Sequence, residues 1–224
     1  MGKGIYFDLE LFHFLRELKQ NNNRDWFQAN KQRYETKLKQ PMLQFIADFA
    51  PELKKIHPRF VADPKPSGGS MFRIYRDIRF SEDKSPYKTQ VSAHFQHHRS
   101  GKDVHVPGFY LHLEPGMCFG AAGIWHPDAR TLIMIRKAIV NRLQDWQKVR
   151  KKIQLEGDRL VRPPKGFSAD HPAIEDLKHK DFVSSVYFEE GRVCGPNFMS
   201  DVVTGYKRIL PLVEFLTKAV GMPW

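Results

Sequence analysis

The chain has 224 residues, 41% of them hydrophobic and 12% aromatic, enough apolar material for one sizeable core, which excludes a disordered chain. No window approaches about 20 consecutive apolar residues, and MGKGIYFDLE lacks the apolar run of a signal peptide, so the expectation is a cytoplasmic protein that neither spans a membrane nor is secreted. Two cysteines, Cys118 and Cys194, exclude a disulfide framework and a four-cysteine zinc site, while a formal net charge of +11 favours anionic partners. That charge is concentrated in residues 16–40 (+4), 73–102 (+4) and 136–165 (+7).

The first elements read as helices over 8–56. Asp8 suits an N-cap, and Leu11, Phe14, Leu15 and Leu18 follow helical spacing to about Gln20. The run Asn21, Asn22, Asn23 serves as a helix stop and as the cap of a second helix from Arg24, with Trp26, Phe27, Asn30, Tyr34 and Leu38 along one side. Pro41 either kinks that helix or opens a third, which carries Met42, Phe45, Ile46, Phe49 and Leu53.

Pro, Gly and Ser in 57–71 mark a connection, after which the period changes to two and a sheet is expected over 72–125. In 72–80 Phe72, Ile74, Ile78 and Phe80 share one face, and Arg73, Tyr75, Asp77 and Arg79 the other; Arg76 breaks the pattern. The turn-rich 81–88 leads to 89–95, with Val91, Ala93 and Phe95 inward, so 72–95 reads as a hairpin turning at 83–86. The polar stretch HHRSGKD makes a second turn, and strands over 109–116 and 117–125 complete a four-stranded antiparallel meander. A long helix follows over 127–153, then a short one near 173–180 and a last strand at 182–188. Two terminal helices, the second restarted by Pro211, close the pattern by about residue 220. Helices, then strands, then helices indicate one α+β domain over 1–224, its antiparallel sheet covered by N-terminal and C-terminal helices.

Two segments carry a resemblance. Asn22, Asn23, Trp26 and Phe27, with the Arg-rich 72–80 running into Ser81, Asp83, Lys84, Pro86, Tyr87 and Lys88, resemble a broad family of uncharacterised bacterial and fungal proteins classed as a domain of unknown function. The resemblance spans nearly the whole chain. It implies a single α+β domain and brings no activity, substrate or catalytic assignment with it.

The residues themselves suggest an anion site. Arg73, Tyr75 and Arg79 on one face, with Lys84 and Lys88 entering from the turn, suit phosphate oxygens, because guanidinium forks bind them in bidentate fashion and ammonium groups add charge. The same residues equally suit an ion-pair lattice closing the hairpin, although five bases at 73–88 face only Asp77, Glu82 and Asp83. The expected ligand is a phosphorylated metabolite or, bound weakly and without sequence readout, nucleic acid. An enzyme acting on a phosphorylated substrate, with Asp77 or Asp83 as general base, is a second reading. A protein-interaction module docking through Arg150, Lys151 and Lys152 is a third. Trp26 and Phe27 suit core anchors better than a stacking platform, and Asn22 and Asn23 suit caps. His94, His112 and Glu114 form a possible ligand set, but no metal-binding spacing occurs and neither a metal nor a cofactor is expected; His97 and His98 fall in a solvated turn. No nucleophile elbow or Walker motif is present, and both cysteines sit in apolar surroundings.

Overall fold

In the computed structural model, which describes residues 4–101 and 106–224, the chain opens with α1 (Leu9–Gln20), α2 (Arg24–Ala29), α3 (Lys31–Tyr34) and α4 (Gln40–Ile56). Asp8 caps α1, accepting from the Glu10 amide at 3.0 Å. A π-helical turn at Glu35–Lys39 joins α3 to α4, and of the two expectations for Pro41 the second holds: it opens α4, the helix that buries Met42, Phe45, Ile46, Phe49 and Leu53. It stands in the first turn of α4, where a missing N–H is tolerated.

Among the described residues the sheet has four strands in the order β1-β2-β3-β4, all antiparallel: β1 (Val91–Gln96), β2 (Gly108–Glu114), β3 (Met117–Ile124) and β4 (Phe182–Phe188). The β2–β3 turn falls at Pro115 and Gly116, the glycine supplying a φ of 76°. Of the second expected turn, Lys102 and Asp103 lie outside the described residues. The inner face, including Phe95, Phe109, Leu111 and Phe182, is buried under α4 and the 22-residue α9 (Phe198–Ala219). Phe49 of α4 meets Phe95 at 4.8 Å, and Tyr206 of α9 lies 4.8 Å from Phe109 and donates its hydroxyl to the Tyr110 carbonyl at 2.8 Å. A Cβ on Gly120 would stand 2.9 Å from the Tyr206 ring, so that strand position admits the helix only as glycine.

Two helical expectations need correction. Residues 127–153 are not one helix: α5 (Ala129–Asn141) and α6 (Leu143–Arg150) are separated at Arg142, which leaves helical geometry and lays its guanidinium over Phe215 at 4.6 Å. The break lets Ile135, Ile139 and Trp146 all reach the core beside α9. Pro211 restarts nothing, because α9 runs through it. Short helices α7 (Ile174–Leu177) and α8 (Glu190–Val193) flank β4. Among the described residues, no helix is long and apolar enough to cross a membrane.

Candidate functional site

Residues 72–80 form no regular strand. They run against 86–93 through single bridges, Met71 with Ala93 and Tyr75 with Tyr87, and through the Phe72, Arg76 and Lys88 amides donating to Ser92, Pro86 and Ile74 carbonyls at 3.0, 2.9 and 2.8 Å. The expected hairpin is thus an irregular loop. Asp77 accepts from the Arg79 amide at 3.3 Å and Asp83 from the Ser85 amide at 2.9 Å, and such side-chain turns take backbone donors away from a ladder. The alternation fails with it: Ile74 is buried, but Phe72 is 41% and Phe80 95% exposed, and Arg73, Asp77 and Arg79 share no strand face.

What holds the loop is the first motif segment. Asn22 does not cap a helix; its side-chain amide pairs with the backbone of Tyr87, donating to the carbonyl and accepting from the amide, both at 3.0 Å, as a neighbouring strand would. Phe27 stacks on the Tyr87 ring at 4.1 Å, and Tyr75 completes the cluster at 5.5 Å from Tyr87. Asn23 is the cap of α2, accepting from the Trp26 amide at 2.9 Å. Trp26 packs on Phe14 at 5.4 Å and Phe27 is buried, so both aromatics are anchors.

Between α1 and this loop opens a cleft of about 570 Å³, lined by Lys19, Asn22, Arg76, Lys88, Thr89 and neighbours that include Asp77 and Asp83. Of the expected ligand-binding residues only Lys88 lines it. Arg79 is paired with Asp77 at 2.7 Å, Lys84 donates to the Ile78 carbonyl at 3.1 Å, and Arg73 and Tyr75 lie outside the lining. Arg76, the residue that broke the alternation, enters the cleft and pairs with Asp83; that misfit was the available signal for it. Arg79 pulls the Asp77 carboxyl down to about 2, and hydrogen bonds from Ser85 and Arg76 hold Asp83 well below the carboxylate range. In place of the expected lattice there are two separate ion pairs, Arg79 with Asp77 and Arg76 with Asp83. Among the described residues Lys19, Arg73 and Lys88 have no carboxylate partner. Lys88 is half-buried, its ammonium 5.1 Å above the Phe72 ring, and burial followed by the nearby Arg73 lowers its pKa.

From the cleft lining the Thr89 hydroxyl donates to Glu114 Oε1 at 3.1 Å, and Glu114 Oε2 meets His112 Nε2 at 3.1 Å. His112 Nδ1 is in turn 2.9 Å from the Tyr110 hydroxyl. Sequence reasoning grouped His112 and Glu114 with His94, but the His94 ring lies apart, parallel to Phe72, with burial pushing its pKa down to about 4. No three His, Cys, Asp or Glu side chains among the described residues converge as metal ligands. His97 is not solvated: it is buried, with Nε2 3.1 Å from the Pro223 carbonyl, while His98 is exposed.

No curated protein and no solved structure matches the chain. A family model does, over residues 10–215, which include both motif segments, the cleft and the whole sheet; the chain belongs to the conserved hypothetical protein family DUF2461.

Proposed function

We propose that the protein is a cytoplasmic binding domain whose cleft between α1 and the 71–90 loop holds the phosphate group of a small phosphorylated metabolite. The observation that carries this reading is Lys88, a half-buried ammonium with no carboxylate against it among the described residues. Removing a cation from water costs free energy that an anion must offset, and the chain's own acids at this site are engaged by Arg76 and Arg79. A phosphate group would supply the missing charge, with Arg76 and Lys19 on the cleft wall and Arg73 adding to the field. Tyr75, Arg79 and Lys84 then have a supporting part, shaping the loop rather than touching the ligand.

The cleft volume supports a small ligand over a polymer. The basic segment 136–165 gives nucleic acid little support, because Arg136 is buried on the Leu177 and His179 carbonyls and Arg150 is bound to Asp176. Asp77 and Asp83, held ionised by their donors, are poor proton acceptors, which weighs against either as a general base. Titrating inorganic phosphate and pyrophosphate by calorimetry and thermal melting tests the proposal. Binding at about a hundred times Kd raises stability by about 2.7 kcal/mol. Lys88→Met, which keeps the apolar stem, is expected to remove that rise while leaving the ligand-free protein as stable or more so. An unchanged phosphate response in Lys88→Met sinks the reading.

A further inference from the structure

The chain of hydrogen bonds behind the cleft has a direction. Burial holds His112 below the ordinary imidazole value, so the ring is neutral at pH 7. With one ring proton, it donates from Nε2 to Glu114 Oε2 and accepts at Nδ1 from the Tyr110 hydroxyl, whose pKa burial raises. Thr89 donates to the other Glu114 oxygen. Every proton in the series therefore points toward one carboxylate, and Thr89, at its open end, is a lining residue of the cleft next to Lys88 in sequence.

A hydroxyl, a carboxylate within hydrogen-bond reach of it, and a third group that fixes the carboxylate are the parts of an activated nucleophile. We propose that Thr89 is a phosphoryl acceptor, with Glu114 as its base and His112 as the positioning residue behind it, and that the donor class is an acyl phosphate. This rests on the phosphate site proposed above. Thr89 Oγ1 attacks phosphorus, forming the O–P bond, as its proton passes to Glu114 Oε1. The P–O bond to the acyl group breaks, and the carboxylate leaves with the electron pair. An acyl phosphate fits because its leaving group departs as a stable anion and takes no proton, and the cleft carboxylates Asp77 and Asp83 are held ionised and have none to give. Lys88 and Arg76 stand on the cleft wall where charge on the phosphoryl oxygens needs balancing.

The experiment incubates the full chain with acetyl phosphate and follows intact mass and peptide fragmentation, with inorganic phosphate binding measured in parallel by calorimetry. Wild type is expected to gain one phosphoryl group, as phosphothreonine at Thr89, distinct in mass from acetylation of a lysine. Thr89→Val should abolish the label and Thr89→Ser restore it. Glu114→Gln should slow labelling about a hundredfold or more, the scale of general-base assistance. His112→Asn should change the pH profile of labelling, which a merely structural imidazole would not, with each variant's melting curve confirming that it folds. Phosphate binding without a Thr89 label overturns the inference and leaves the phosphate site standing; no binding and no label removes both. Labelling at another residue, or at an unchanged rate in Glu114→Gln, also overturns it.

Discussion

The inner face of the sheet and the 71–90 loop carry similar alternations of apolar and polar residues, yet only one of them is a sheet. In β1 and β2 the apolar set Val91, Ala93, Phe95, Phe109, Leu111 and Leu113 meets α4 and α9, and burial secures the register. In 72–80 only Ile74 of the set Phe72, Ile74, Ile78 and Phe80 is buried; Phe72 touches the sheet with its ring still exposed, and Phe80 is left uncovered. Alternation specifies a strand where another element waits to cover it. Without that cover the Asp77 and Asp83 side chains take the backbone donors, and the segment becomes the wall of a cleft.

The sharpest way to break this comparison is to truncate one phenylalanine in each region. Phe109 is fully buried against Phe60 and Tyr206, so Phe109→Ala should cost about 3 to 5 kcal/mol in urea-unfolding free energy. Phe80 is 95% exposed, and Phe80→Ala should leave the urea midpoint unchanged. Similar losses at both sites would mean that the loop is packed as tightly as the sheet.

Legibility followed the same division. The strands 89–95, 109–116, 117–125 and 182–188, and the helices that cover them, could be read from periodicity because each apolar face has a partner within the fold. Arg142 carries no breaking chemistry, so the α5–α6 interruption was hidden; it comes from both halves packing beside α9. The two motif segments were visible as chemistry. Their joining through Asn22 and Tyr87, 65 positions apart, is a tertiary contact that no local pattern encodes. Expecting the cations of 73–88 on one strand face grouped Arg79 and Lys84 with Lys88; with the strand gone, Arg79 pairs with Asp77 and Lys84 donates to the Ile78 carbonyl.

His94 reports on the seam between the two regions. It belongs to β1, but Phe72 of the loop lies parallel to its ring, and burial pushes its pKa down to about 4. The unfolded chain binds a proton near 6.5, which the folded chain resists. This contribution to stability is thus complete above about pH 6.5 and is lost as pH falls toward about 4, by at most about 3 kcal/mol. His57, His97, His112 and His179 shift in the same direction, so the total acid loss exceeds this share. His94→Phe should flatten the pH dependence of the urea midpoint by the His94 part alone. If His94 instead titrates near its ordinary value by NMR, the loop does not close over the sheet as tightly as the geometry indicates.

The smallest loss expected is also the most local. Asn22→Ala removes both hydrogen bonds to the Tyr87 backbone, leaving a half-buried carbonyl and amide without their partner, a loss of about 1 to 3 kcal/mol. Because Phe27 still stacks on Tyr87, the loop should loosen rather than detach. Amide exchange should therefore quicken at Tyr87, whose amide loses its Asn22 acceptor, and at Arg76 and Lys88, whose bonds join the two sides of the loop, and stay unchanged at Leu111 and Phe109 in the sheet. Asn22→Asp distinguishes the two hydrogen bonds, since a carboxylate still accepts from the Tyr87 amide but cannot donate to its carbonyl. Exchange that quickens across β1 and β2 as well would show that loop and sheet open as one unit, and the division between them would fail.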